Sequence, residues 1–435
     1  MSAASGLAAA QARDAADPLR AFRARFALPC DARGEPLLYL CGHSLGLMPL
    51  AARDVVNEEL EDWSRLAVLG HEHGRRAWIP YHEHLTAGLA DLTGAGADEV
   101  VAMNSLTVNL HLMLASFYRP HGRRTRILIE AGAFSSDRHA VTSQIAWRGL
   151  DPESTLIELA PPPGMDTVPE EEIEACLAHH DGEIALVLWP GVQFRTGQAF
   201  DIARIVRAAH AQGCLAGFDL AHSVGNTPLA LHDSAADFAV WCSYKYLNGG
   251  PGAIGGCFVH ERHASALPKT AHRGALPGAR LAGWWGHEED TRFLMEAEFH
   301  AAEGADSWQV SNPPILAAAP LLASLNLFEA AGIERLREKS VALTGFLEEL
   351  LRPLEPQLQI LTPREPADRG CQLSLRIAGG AGPGRRVFER LREAGVICDW
   401  RTPDIIRVAP VPLYNRFEDV ALFADRLTRV LQAGA

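Results

Sequence analysis

The sequence predicts an α/β protein: a large domain on a mostly parallel, helix-flanked sheet, followed by a smaller α+β domain. Three observations predict it. Between residues 98 and 259 short apolar runs of strand length alternate with helix-periodic segments, the βα rhythm whose crossovers build parallel sheets. Two of those runs end in chemistry, residues 214–218 leading into Asp219-Leu220-Ala221-His222 and residues 238–242 into Ser243-Tyr244-Lys245; open sheets present their sites at the carboxyl ends of strands. From residue 372 the rhythm becomes strand, helix, strand, strand, helix, which reads as a separate unit.

At 435 residues the chain exceeds what one small core supports. Its 48% hydrophobic content is ordinary, and 53 acidic against 40 basic residues leave a net charge of −13. That charge argues against a nucleic-acid partner and against a basic membrane-facing surface. No apolar run approaches the roughly 20 residues of a spanning helix and nothing near the start resembles a secretory signal, so a cytoplasmic protein is expected. Residues 1–26 are rich in Ala and Arg like a presequence, but Asp14 and Asp17 interrupt them; an amphipathic arm packed on the body is the preferred reading. The eight cysteines are scattered with no Cys-x-x-Cys pair, and read as buried thiols in a reducing compartment.

In order along the chain, residues 18–28 read as a short helix. Residues 37–40 form a strand running into Cys41-Gly42-His43-Ser44-Leu45-Gly46, a tight turn expected to approach a ligand. Residues 50–68 have amphipathic helical spacing, with Val55, Val56, Leu60 and Trp63 on one side. His71-Glu72-His73 and His82-Glu83-His84 invite a metal reading, but neither has the i, i+4 spacing of a metalloprotease helix and no cysteine is near. No metal is therefore expected; the first pair reads as a polar substrate-facing loop, the second as a solvated helix face. Residues 98–103 form a strand leading to Asn104-Ser105-Leu106-Thr107, the start of a helix through Tyr118, where hydroxyls and free N–H groups suit a phosphate and Asn104 or Ser105 could equally cap the helix. Strand 126–130 precedes Phe134-Ser135-Ser136-Asp137, an aromatic able to stack on a flat ring before a helix start. Strand 184–189 and helix 202–212 then lead to the strand that ends on Asp219.

Beyond Lys245, Gly249-Gly250-Pro251-Gly252 is too glycine-rich for a helix, and residues 257–259 return as a strand. Residues 262–280 read as an exposed excursion. Trp284-Trp285 between Gly283 and Gly286 suggests an aromatic surface at a site or subunit boundary. Ser311-Asn312-Pro313-Pro314 belongs to a rigid extended segment from residue 307. Helices are expected over 320–330 and 334–351, then strand 372–377, helix 385–394, strands 396–400 and 405–409, and helix 417–432. The expected division is an arm at 1–45 that joins the small domain, a large cofactor-binding domain at 46–317, and the small domain at 318–435.

Lys245 and Asp219 at neighbouring strand ends meet the requirement of pyridoxal 5′-phosphate: an amine to bond the aldehyde, and a carboxylate to keep the pyridine nitrogen protonated. A strand-end lysine in a surface salt bridge is the competing reading, which the Asp-x-x-His upstream and the glycines downstream disfavour.

With Asn104-Ser105-Leu106-Thr107-Val108-Asn109, Phe134-Ser135-Ser136-Asp137, Gly217-Phe218-Asp219-Leu220-Ala221-His222, Ser243-Tyr244-Lys245-Tyr246-Leu247-Asn248 and Ser311-Asn312-Pro313-Pro314 in place, the chain resembles the kynureninases. The resemblance implies the type I pyridoxal-phosphate fold with a seven-stranded sheet, and a homodimer with sites at the subunit boundary. It implies hydrolysis of L-kynurenine or 3-hydroxy-L-kynurenine to L-alanine and an anthranilate, in tryptophan catabolism. By resemblance Lys245 bonds the cofactor and moves the Cα proton, Asp219 holds the ring nitrogen, and Tyr244 serves phosphate and proton relay. Leu106 and Thr107 would hold phosphate, Phe134 would stack on the ring, and Ser136, Asp137 and His222 would line its edge. Trp284 and Asn312 would reach across from the second subunit. His71, Ser44 and Asn312 would face the substrate, and Arg407 would clamp its α-carboxylate.

The chain departs from the family's pattern at His43, where asparagine is expected, at Pro190, where serine is expected, and in the longer 262–280 excursion. Two alternatives are a cysteine desulfurase-like lyase and a catalytically idle pyridoxal-phosphate scaffold. The first needs a mobile reactive thiol, whereas Cys371 and Cys398 lie in apolar runs.

Overall fold

The structure is a computed structural model and describes residues 3–265, 280–295 and 297–434. Its first strand is β1 (Leu38–Tyr39). The large sheet is built from β2 (Val100–Ala102), β3 (Arg126–Glu130), β4 (Leu156–Leu159), β5 (Ile184–Pro190), β6 (Leu215–Asp219), β7 (Phe238–Cys242) and β8 (Gly255–Val259). Its seven strands run in the order β2-β8-β7-β6-β5-β3-β4. Pairs β3–β4, β3–β5, β5–β6 and β6–β7 are parallel, while β8 is antiparallel to both β7 and β2. The reversal has a local cause. Residues 243–254 contain no crossover helix, so β8 can only turn back beside β7.

Side chains alternate across this sheet and both faces are buried, which is why its strands read as continuous apolar runs. Leu128, Val187, Trp189, Phe218 and Trp241 pack into one core, whereas Ile127, Ile129, Leu186, Phe238 and Val240 pack into the other. At Gly217, opposite Phe238 in register, an added Cβ would overlap the phenyl ring, so β6 and β7 close up only with glycine there.

The second unit holds β9 (Leu358–Ile360), β10 (Leu373–Ile377), β11 (Val396–Ile397), β12 (Asp399–Arg401) and β13 (Ile405–Val408). Four of them form an antiparallel sheet ordered β12-β13-β10-β9. β11 instead pairs in parallel with β1, which is why residues 396–400, expected as one strand, break into two. Ala10, Leu38 and Leu40 share the core of Leu375, Ile406, Phe423 and Leu427. The division at 45/46 and 317/318 is kept as a proposal, with helix Ile315–Ala331 as the join, since its Ala318, Leu321 and Phe328 pack with the large core.

The arm is helix Ala3–Ala16, and the two acids that interrupt its composition have work to do. Asp14 accepts from the backbone N–H groups of Phe417 and Glu418 at 2.8 and 2.9 Å, capping the C-terminal helix Phe417–Gln432. Asp17 pairs with buried Lys339 at 2.8 Å.

Several expectations are corrected. Residues 18–28 hold only a 3-10 turn, Arg20–Arg25. Helix Leu50–Leu66 buries Ala52, Glu59 and Asp62, while Leu60 and Trp63 face outward, Trp63 60% exposed. Polarity yields to pairing here, because Glu59 accepts from Arg76 Nε, Trp78 Nε1 and Tyr81 Oη at 2.7 to 3.0 Å. The first histidine pair lies on a short helix, Gly70–His73, not a loop. His82 of the second pair is buried beside Gln309, not solvated. Residues 304–308 form a 3-10 turn before the extended segment. Helix Ile315–Ala331 starts ahead of the expected 320 and carries Pro320 within it. Strands β4 and β9 and helix Glu170–His179 are unanticipated. Cys30 is exposed, unlike the other thiols. Of the expected excursion, residues 261–265 are helical and residues 266–279 lie outside the described residues.

Candidate active site

Four strand ends and one helix start converge on one open cavity. β6 delivers Asp219, the turn after β7 delivers Tyr244 and Lys245, β3 delivers Glu130 and then Phe134 to Asp137, β5 ends on Pro190, and helix Leu106–Phe117 brings Leu106 and Thr107. This is the crevice that an open sheet makes at its strand ends. Lys245 Nζ stands 5.9 Å from the centre of the Phe134 ring and 5.8 Å from that of Tyr244. Phe134 is 42% exposed, leaving a flat aromatic wall. Its other neighbour is Phe194, edge-on at 5.4 Å.

Asp219 is fixed by the Ala221 backbone N–H, which donates to Oδ1 at 2.7 Å. Burial, and then the Asp219 carboxylate beside it, pushes Asp137 well above the usual carboxylate range, with Lys245 pulling the other way. His222 is driven well below the ordinary imidazole value by burial and then by the Lys245 and Arg407 charges, so it is neutral. Burial also raises the Tyr244 phenol, which keeps its proton.

A phosphorylated pyridine aldehyde fits these residues. Asp137 Oδ1 and His222 Nδ1 are buried with no hydrogen-bond partner among the described residues, as polar atoms awaiting a ring edge would be. Ser105 stands at the N-cap of helix Leu106–Phe117 but its hydroxyl makes no capping bond, which leaves first-turn N–H groups for a phosphate. Thr107 and Ser136 hydroxyls, 2.7 Å apart, lie beside them. The alternative of a Ser105 side-chain cap is thereby set aside; Asn104 instead donates to Asn109 at 2.9 Å.

Arg407, on β13, is fully buried. Its Nε and Nη2 donate to Asp399 Oδ2, the former at 2.7 Å, and Nη1 donates to the Phe194 carbonyl at 2.6 Å. Asp399 also pairs with Arg401 at 2.9 Å. Burial alone would raise Asp399, but His43 and the two guanidinium groups hold it below the ordinary range. His43, wholly buried 3.8 Å from Asp399, is pushed down to about 3 by burial and then by Arg407, so the departure from asparagine places a neutral imidazole at this corner.

The turn at residues 41–49, expected to approach a ligand, packs against the lysine loop. Gly46 N–H donates to Tyr244 O at 2.8 Å, and an added Cβ would overlap Lys245 O and Asn248 Oδ1. Five predicted site residues are not among those lining the cavity of the single chain, the fully buried Arg407 being one. Trp284 is 45% exposed with its indole N–H donating to Arg292 O at 3.1 Å, Asn312 and His71 are exposed, and Ser44 is half-buried. Sequence reasoning missed Glu130 and Phe194, which line the cavity, and Asp399, which holds Arg407. Glu130 carried a usable signal, an acid ending an apolar strand as Asp219 does, and burial pushes it up to about 8. The thiols are unsuited to nucleophilic sulfur chemistry: burial pushes Cys371 up to about 12 and raises Cys398 further.

Residues 336–427 match the family model described as the kynureninase C-terminal domain. The chain is 58% identical over 413 residues to a kynureninase of Xanthomonas campestris pv. campestris (strain B100), covering 94% of this chain and 95% of that protein. It is 57% identical over 419 residues to a kynureninase of Xanthomonas oryzae pv. oryzae (strain KACC10331 / KXO85), covering 96% of each. Among solved structures, the apo cysteine desulfurase of Thermococcus onnurineus NA1 superposes with a TM-score of 0.73 at 17% identity, over 91% of this chain and 95% of that one. The cysteine desulfurase CsdA of Escherichia coli gives 0.75 at 16%, over 95% and 98%. At such identities these two establish a shared fold and nothing further.

Proposed function

The chain belongs to the kynureninase family, and from that premise we propose that Lys245, Asp219, Asp137, Tyr244 and Arg407 carry its reaction. It is a pyridoxal-phosphate-dependent hydrolase of carbon–carbon bonds, acting on the small amino acid L-kynurenine or its 3-hydroxy form to release an anthranilate and L-alanine. When bound, pyridoxal phosphate supplies an aldehyde that exchanges amines and a cationic ring that accepts electrons from Cα.

The protein's own groups do the rest. Lys245 Nζ, set between the Phe134 and Tyr244 rings, removes the substrate's Cα proton and returns it. The Asp219–Asp137 pair holds one proton where the ring nitrogen comes to lie, as two adjacent buried carboxyls cannot both ionise cheaply. Phe134 and Phe194 cover one face and exclude water. Water added at the substrate's γ-carbonyl carbon supplies the oxygen that the departing anthranilate keeps, and Tyr244, which keeps its proton, would donate it to Cβ as the Cβ–Cγ bond breaks. Thr107, Ser136 and the helix start at Leu106 take the phosphate. Arg407 has five N–H donors of which Asp399 and Phe194 use three, leaving one on each terminal nitrogen. That pair grips the α-carboxylate without displacing Asp399.

The proposal extends to a cytoplasmic homodimer with no nucleic-acid or membrane partner. Outward-facing Leu60, Trp63, Val68 and Leu69 offer an apolar surface, and exposed Trp284, Asn312 and His71 would complete the neighbouring site. Among the described residues no single helix is long and apolar enough to cross a membrane.

The juxtaposition of Lys245 with the paired carboxyls carries the reading. Lys245→Ala is expected to abolish release of fluorescent anthranilate from kynurenine while circular dichroism stays unchanged. Steady-state turnover by that variant would overturn it.

A further inference from the structure

At the end of the large sheet remote from the cofactor, three side chains from distant parts of the sequence meet. Glu99 lies in the turn entering β2, His232 on the helical turn Leu231–Ser234 between β6 and β7, and His260 directly after β8. One ligand atom from each lies within 4.8 Å of the others. Because β2 and β8 are antiparallel, with Val100 opposite Phe258, Glu99 and His260 share one end of the pair. The other end, where Ala102 faces Gly256, runs into the Asn104–Leu106 phosphate corner.

Glu99 is buried, and its two oxygens are oriented by backbone donors, Gly96 N–H to Oε2 at 2.8 Å and Glu261 N–H to Oε1 at 2.9 Å. His232 Nδ1 stands 2.9 Å from Oε2. His260 Nδ1 stands 3.5 Å from Oε1, and this nitrogen is a lone-pair atom, since the Arg262 backbone N–H donates to it at 3.3 Å. With that lone pair turned to the Arg262 N–H, no proton lies between His260 Nδ1 and Glu99 Oε1. The two rings stack at 5.2 Å, so both Nδ1 atoms are held towards the same point.

We propose that Glu99, His232 and His260 form a structural binding site for a divalent d-block cation, zinc by preference, completed by water. Two imidazole nitrogens and one carboxylate oxygen are a donor set that zinc accepts, and their present separations need only small adjustment towards tetrahedral spacing. The cation takes the place between Glu99, His232 Nδ1 and His260 Nδ1, displacing the hydrogen bond between His232 and Glu99 Oε2 and the Arg262 backbone N–H from His260 Nδ1. His232 N–H also donates to Gly94 O at 3.1 Å, so the ion ties the 231–234 turn to the β2–β8 edge and stiffens the strands that lead to the phosphate corner.

The test uses the holoenzyme, stripped with a chelator and then titrated with zinc against a chromophoric competitor. His232 is 44% exposed, so His232→Ala leaves the fold intact. Wild type is expected to bind one zinc per chain with a raised melting temperature and, with cobalt, visible d–d absorption. His232→Ala is expected to bind at least about tenfold more weakly and to lose the thermal shift. Kynurenine turnover, sited at the opposite strand ends, is expected to be equal in both proteins. Absence of stoichiometric zinc in wild type, or equal affinity in His232→Ala, would overturn the site and leave Glu99 as a carboxylate that merely caps its turn.

Discussion

Arg407→Lys separates positive charge from donor geometry. The guanidinium gives three N–H groups to Asp399 and Phe194 and keeps two, one on each terminal nitrogen, for a substrate carboxylate. Lysine retains the charge beside Asp399 but is a single point, so the two-pronged grip falls to one contact. Losing one charge-assisted hydrogen bond costs about 1.5–3 kcal/mol. If it falls on binding, KM for kynurenine rises roughly 10- to 150-fold while kcat changes little. The fold is expected to survive, because Asp399 still has Arg401 at 2.9 Å and the buried site keeps a cation. Steady-state kinetics with kynurenine, paired with inhibition by an analogue lacking the α-carboxylate, provide the assay. The analogue should bind both enzymes equally. An unchanged KM, or the same penalty on the analogue, would refute the carboxylate grip.

Two further tests probe the surroundings. Glu130, pushed up to about 8 by burial against an ordinary glutamate near 4.3, binds its proton more tightly in the folded chain, so its contribution is full at low pH and is lost as pH rises through about 8. Glu130→Gln should therefore gain on wild type by a few kcal/mol between about pH 5 and 8; parallel melting curves across that range would contradict it. Trp63→Glu, on the outward face of helix Leu50–Leu66, should shift the proposed homodimer towards monomer in analytical ultracentrifugation and lower activity by separating Trp284 and Asn312 from the site they are proposed to complete. An unaltered sedimentation profile would remove that surface from the interface.

Much of the site was legible because its residues sit at strand ends, where an apolar run stops abruptly on a carboxylate or a lysine. Asp219 and Lys245 follow from that rule, and adjacent parallel β6 and β7 bring them together. Glu130 obeys the same rule but lacked a second motif to single it out. The pairing of Asp399 with Arg407 was hidden because residues 396–400 read as one strand. Once β12 and β13 are separated, Asp399 stands opposite Arg407 in register. Helical period located residues 50–66 and placed Val55 and Val56 against the core, but it could not see that Leu60 and Trp63 turn outward while Glu59 is buried, held by Arg76, Trp78 and Tyr81 from a later segment. His82 was misjudged for a similar reason: its neighbour Gln309 is far away in sequence.

The parallel pairing of β1 with β11 puts Leu38 beside Val396, and the turn that follows β1 braces the loop bearing Lys245. During synthesis the head of the chain leaves the ribosome long before its partner strand exists. The lysine loop thus lacks this brace until residues 396–397 have been translated. Truncation at either terminus should then produce the same defect, a pale protein with a slack catalytic loop.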